Sequence, residues 1–111
     1  MRFSLWPTTA QSFDDIRDAA THAAATGWDG VWLADHFMPS TPSADGPSLE
    51  CFSTLASLAT CVPRVRLGSL VACNTYRHPA LLANIIAAID HASGGRAVLG
   101  IGSGWQENEH R

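Results

Sequence analysis

The side chains able to do chemistry gather in four short stretches of this 111-residue chain: Trp6-Pro7, Asp35-His36, Cys73-Asn74-Thr75-Tyr76-Arg77-His78, and Gly102-Ser103-Gly104-Trp105-Gln106-Glu107. The second stretch sets an imidazole beside a carboxylate. An imidazole titrates near physiological pH, so His36 suits proton donation or a hydrogen bond to a polar heterocycle. Asp35 is placed to orient it or to engage neighbouring backbone, and the pair could equally do no more than cap a strand end. The third stretch adds amide, hydroxyl and guanidinium groups that can position a ring. Within it, Arg77 and His78 suit a phosphate, and Arg77 also suits a carboxylate on the rim.

Two other chemistries fit less well. Gly100-Ile101-Gly102-Ser103-Gly104 invites a dinucleotide reading, but its third glycine is misplaced and no acidic ribose partner follows about 20 residues later. A tight turn that lets a ligand approach the backbone closely accounts for it better. Of five histidines, only His36 and His78 are expected at the mouth, with His22 and His91 on helices and His110 in a polar tail. No HxH or HxxxH pair occurs, which argues against a hydrolytic metal centre.

The elements that must position these stretches alternate. Arg2 to Trp6 reads as a strand, and Ser12 to Thr26 as a helix with Ser12 and Asp15 in a capping pattern and Gly27 as its stop. Val31 to Ala34 is an apolar run suited to a strand buried on both faces, and it leads into Asp35-His36. Met38 to Pro47 is a Pro/Ser/Thr-rich loop, either substrate-contacting or a plain connector. A helix follows on Leu49, Phe52, Leu55, Ala56, Leu58, Ala59 and Val62, ended by Pro63. Val65 to Ala72 is a third strand, Pro79 opens a third helix closed by Ser93-Gly94-Gly95, and Ala97 to Ile101 is a fourth strand. Strand and helix alternate at a spacing that demands parallel crossovers, so all four chemical stretches leave the C-terminal ends of strands on one face. Half a TIM barrel and a small open sheet both satisfy this order.

Composition narrows the class. The chain is 46% hydrophobic and 15% charged with a formal charge of -3, an ordinary globular balance suited to one domain over residues 1–111. It has no basic cluster for nucleic acid or an anionic membrane, and its apolar runs fall far short of the ~20 residues that span a bilayer. Cys51, Cys61 and Cys73 are odd in number and form no CxxC pair, so a reducing cytoplasm is expected. Cys51 and Cys61 read as small residues of a helix core.

Several motifs together resemble one family. They are Met-Arg-Phe-Ser-Leu-Trp at the start, Gly27-Trp28-Asp29-Gly30-Val31-Trp32 with Ala34-Asp35-His36-Phe37, and Arg66-Leu67-Gly68. Tyr76-Arg77-His78-Pro79, Asp90-His91-Ala92-Ser93-Gly94-Gly95-Arg96 and Leu99-Gly100-Ile101-Gly102-Ser103-Gly104-Trp105 complete the set. In order and spacing they resemble the N-terminal part of bacterial luciferase-like flavin-dependent oxidoreductases, particularly the branch using the deazaflavin coenzyme F420.

The resemblance implies an α/β fold: the N-terminal half, about four βα units, of a TIM barrel with parallel strands. It implies a reduced FMN or F420 ring in the mouth and a small organic substrate that is oxidised or reduced. His36 would be the protonating or hydrogen-bonding group, with Asp35 beside it as the second catalytic residue. Leu70 and Val71 would form a bulge with a non-prolyl cis peptide backing the ring, and Cys73, Asn74, Gly102, Ser103, Gly104 and Trp105 would line the same pocket. Asp90 and Arg96 read as a supporting pair. A family barrel needs ~250 residues, so later strands are expected outside this chain. The open sheet edges then call for a homo-oligomer or the remainder of a full barrel. The alternative is a non-catalytic half-barrel that associates with itself or with a partner.

Overall fold

The computed structural model describes residues 1–39 and 46–111, so most of the Met38 to Pro47 loop lies outside the described residues. The elements run β1 (Ser4–Leu5), α1 (Phe13–Ala25), β2 (Gly30–Leu33), α2 (Cys51–Cys61), β3 (Arg66–Cys73), α3 (Pro79–Ser93), β4 (Ala97–Gly102) and a 3-10 turn (Glu107–His110). β1 is shorter than its apolar pattern predicts, pairing with β2 only at Ser4 and Leu5. The turn is new, because its polar sequence carries no periodicity.

All four strands are parallel, in the order β1-β2-β3-β4. A doubly wound sheet reverses its strand order at a switch point, and this sheet does not. Successive strands added on one side are the arrangement of a barrel segment, which decides between the two architectures the sequence left open.

Local chemistry starts and stops each helix. The Ser12 hydroxyl accepts from the Asp15 amide at 3.2 Å at the head of α1. Glu50 caps α2 by accepting from the Phe52 and Ser53 amides at 3.2 and 2.6 Å. His78 caps α3, its Nδ1 accepting from the Ala80 amide at 3.2 Å, with Pro79 in the first turn. Gly94, at φ 70°, ends α3 in the left-handed conformation that costs glycine little.

The core fills the layer between helices and sheet. Ile16 and Ala20 of α1, Leu55 and Leu58 of α2, and Val31, Leu33 and Leu67 of the sheet are fully buried. Trp32 points its ring toward Gly30 and Gly68; a Cβ on Gly68 would lie 2.6 Å from the indole and 2.4 Å from the Val98 carbonyl. Arg96 gathers three carbonyls, donating to Ser93, Val65 and Ala59 at 2.7, 2.7 and 3.0 Å. Asp90 accepts from the Ala97 amide at 3.0 Å. Both residues support the fold as expected, but among the described residues they do not pair with each other: each is taken up by backbone.

Cys51 is buried in the helix core, whereas Cys61 is exposed. The expectation for Cys61 fails because it is the last residue of α2, on the solvent side of the helix end.

Candidate active site

At the C-terminal ends of the strands lies a cleft of about 400 Å³, lined by Trp6, Asp35, His36, Leu70, Val71, Cys73, Tyr76 and Gly102 to Trp105 among others. It draws on all four chemical stretches. A register shift in β3 between Ser69 and Ala72 spends three residues of β3 against two of β4. The Leu70-Val71 peptide within it is cis. The bulge turns both side chains out of the sheet, so that each is about 42–43% exposed into the cleft.

β4 supplies the opposite wall with little side chain. A Cβ on Gly102 would lie 2.7 Å from Val71 Cγ2, so only glycine lets the bulge and β4 close up. Trp105 is exposed and meets the His36 ring edge-on, with centroids 5.6 Å apart at 77°. Asn74 is exposed and does not line the cleft; its amide donates to the Gly102 carbonyl at 3.0 Å and so ties β3 to β4.

Asp35 and His36 are neighbours in sequence that serve different structures. Asp35 is 3% exposed. Its carboxylate receives a two-pronged clamp from Arg77, at 2.7 and 2.9 Å, and the Cys73 amide at 3.0 Å. Arg77 reaches on to Glu50 at 2.6 Å and lies over the Phe52 ring at 4.7 Å. This is the carboxylate pairing open to Arg77 from sequence. It ties the ends of β2 and β3 to the head of α2, and among the described residues no hydrogen bond joins Asp35 to His36.

The orienting role falls instead to Glu109, which sequence reasoning missed. Its side chain has no exposed surface, and its Oε2 lies 2.9 Å from His36 Nδ1. Glu109 also accepts from the Phe37 amide at 2.6 Å and from the Tyr76 hydroxyl. Burial pushes the Glu109 carboxyl up, but the hydrogen bonds from Tyr76, His36 and Phe37 outweigh it and hold it below the ordinary carboxylate range. Burial and the Glu109 contact together push Tyr76 well up, so it stays a donor. The carboxylate can only accept, so His36 Nδ1 carries the proton. Nε2 is left without a protein partner among the described residues.

His36 also shares, with Trp6 and Ala34, a second hollow of about 280 Å³ lined by Thr8, Thr9, Met38 and Pro39. The imidazole thus stands between two hollows, in reach of occupants of both. His78, expected at the mouth, spends its ring on capping α3 and lines neither hollow. His110, expected in the tail, is carried by the 3-10 turn to Thr75 and Cys73.

Comparison with known proteins identifies the family and the fold. The model of the luciferase-like monooxygenase family matches residues 1–111. An F420-dependent glucose-6-phosphate dehydrogenase of Amycolatopsis mediterranei is 34% identical over 96 residues, covering 86% of this chain and 28% of that protein. Its counterpart in Kineococcus radiotolerans is 38% identical over 95 residues, covering 85% and 28%. The solved structure of a monooxygenase from Streptomyces bottropensis superposes with a TM-score of 0.84 at 26% identity, covering 98% of this chain and 35% of that one. The F420-dependent tetrahydromethanopterin reductase of Methanopyrus kandleri gives 0.83 at 24% identity over 97% and 28%, a likeness of fold. The chain spans a little under a third of the curated relatives' length. It belongs to the luciferase-like monooxygenase family and folds as the first four βα units of that barrel.

Proposed function

We propose that this chain forms part of an oxidoreductase that holds a reduced deazaflavin F420 or FMN ring and acts on a small organic substrate. The observation that carries the reading is the position of His36. Its Nδ1 is fixed by a buried carboxylate, and its ring forms a wall of an apolar cleft and of the smaller hollow next to it.

The residues present suit a flat conjugated ring. The Leu70-Val71 bulge offers an apolar support, and the bare backbone at Gly102 lets Val71 pack against β4 beneath it. Leu70, Val71, Cys73, Gly102, Ser103, Gly104 and Trp105 are the residues in place to hold it, whereas Asn74 acts only through the strand pairing. When bound, the ring supplies two-electron redox chemistry. Its substrate would occupy the hollow lined by Thr8, Thr9 and Met38. His36 Nε2, facing away from Glu109, is the atom that would give or take a proton or hydrogen-bond the ring.

F420 stands first because several of the relatives matched at 34–38% identity are F420-dependent dehydrogenases. The monooxygenase reading is favoured by likeness to monooxygenases at 32% and 26% identity. Exposed Leu99 and Ile101 on β4 support a covering partner, either a second copy or the remainder of a full barrel. Cysteine usage supports a cytoplasmic setting. No helix among the described residues is long and apolar enough to cross a membrane.

Titrating the protein with F420 and with FMN, followed by ring absorbance, tests the reading. Saturable binding of one of them, weakened by crowding the bulge, is the expected result. Binding of neither ring overturns the cofactor assignment.

A further inference from the structure

Beyond the His36 site, the cleft wall carries three groups in hydrogen-bonded series, to which the proposed redox chemistry gives no proton-transfer role. Cys73 Sγ lies 3.0 Å from Thr75 Oγ1, which lies 2.6 Å from His110 Nε2; His110 Nδ1 lies 3.0 Å from the Gln106 carbonyl. A carbonyl only accepts, so Nδ1 carries the proton and Nε2 of the neutral ring is an acceptor. The Thr75 hydroxyl therefore donates to Nε2 and turns a lone pair to the Cys73 thiol. Passing the thiol proton to Thr75, and the Thr75 proton to Nε2, gives a thiolate and an imidazolium with no heavy atom displaced.

The surroundings agree. Burial pushes the Cys73 thiol up, but hydrogen bonds from Thr75, His110 and Tyr76 outweigh it and bring it below the ordinary thiol value. His110 is raised by the Gln106 carbonyl, by Cys73 and by Glu109. Gly104 permits the close approach, since a Cβ there would lie 2.5 Å from the sulfur. Cys73 is 5% exposed but lines the cleft, whereas the other cysteines lack both the cleft and such a partner: Cys51 is pushed up by burial, and Cys61 donates to the Ser57 carbonyl at 3.3 Å.

We propose that Cys73, Thr75 and His110 form a proton-relay site that makes Cys73 the reactive nucleophile of this chain, oxidised by hydrogen peroxide entering the cleft. The thiolate sulfur attacks one peroxide oxygen, the S–O bond forms and the O–O bond breaks. The departing hydroxide takes the proton from His110 Nε2 and leaves as water. Sulfur is oxidised by two electrons to the sulfenic acid, and peroxide is reduced to water. The site does not depend on which ring the cleft takes.

The test treats the cofactor-free chain at pH 7 with hydrogen peroxide, traps sulfenic acid with dimedone, and assigns adducts by mass spectrometry. Cys73 is expected to react at least roughly tenfold faster than Cys61, with Cys51 protected. Thr75→Val and His110→Asn should each remove that advantage while the Cys61 rate is unchanged, and Thr75→Ser should restore it. Labelling of the parent chain by iodoacetamide across pH supplies a second readout, with a Cys73 midpoint below the free-thiol value of about 8.5. A Cys73 rate no greater than that of Cys61, or a midpoint at or above the free-thiol value, overturns the relay. Labelling of Cys51 marks an unfolded variant, and the Thr75→Ser and pH arms then decide.

Discussion

His36 Nδ1 donates to Glu109 Oε2 at 2.9 Å, across 73 positions of sequence, and the same carboxylate holds the Phe37 amide and the Tyr76 hydroxyl. One buried acid therefore locks the loop after β2, the loop after β3 and the turn after β4 into a single mouth. Replacing it by Gln keeps the shape but forces an amide donor or a weaker acceptor against each partner. Glu109→Gln should lower stability by about 2 kcal/mol, the scale of hydrogen bonds to a charged group. It should also shift the His36 ring toward the other tautomer. Urea unfolding reads the first effect and 15N chemical shifts of the imidazole read the second; an unchanged tautomer would remove Glu109 from the orienting role.

Acid should act through the same group. The folded-state value of Glu109 is depressed, so its stabilising contribution is fully present above the unfolded value of about 4.3 and is lost as pH falls through the folded one. Glu50, whose burial is outweighed by hydrogen bonds from Ser53, Phe52 and Arg77, adds a contribution of the same sign. Stability measured by urea midpoint should hold from neutral pH to about pH 5 and then fall. The fall should be shallower in Glu109→Gln.

The Arg77 fork on Asp35 gives a second mutational contrast. The Asp35 and Arg77 side chains are 2% and 11% exposed. Arg77→Met leaves Asp35 buried with only the Cys73 amide, a loss of about 3 kcal/mol or more. Arg77→Lys keeps a charge but not the two-pronged geometry, and should fall between. Equal stability of all three proteins would show that the fork contributes nothing net.

Two glycines separate packing from binding. A Cβ on Gly68 meets the Val98 carbonyl at 2.4 Å, backbone that cannot give way, so Gly68→Ala should cost about 1–3 kcal/mol of stability. A Cβ on Gly102 meets a Val71 methyl on the exposed bulge, which can swing into the cleft. Gly102→Ala should weaken ring binding more than it weakens the fold, as read by absorbance titration against urea midpoint.

His36→Ala removes the atom facing the two hollows while its neighbours keep their own partners. Turnover of the cofactor-loaded protein should fall by at least ~100-fold, the usual scale of a positioned acid or base, with a much smaller change in unfolding midpoint. A parallel loss of both would assign His36 a structural part only.

The alternation of elements was legible in the chain because apolar periodicity and capping residues are local. Ser12, Pro79 and Gly94 act on their own neighbours, and the structure places them as that pattern predicts; the strand expected over Val31 to Ala34 runs from Gly30 to Leu33. The cis peptide at Leu70-Val71 was implied by likeness to a family rather than by any spacing. What only the tertiary structure decided is which polar groups meet. Asp35 lies beside His36 in sequence yet pairs with Arg77, because the loop after β3 brings the guanidinium to Asp35 while the turn after β4 brings Glu109 to His36. Glu109 and His110 sit in a polar tail with no periodic signal, and they reach His36 and Thr75 only once β4 has been laid against β3. Spacing along the chain carries the elements; contacts spanning 35 to 73 residues are set by how those elements pack.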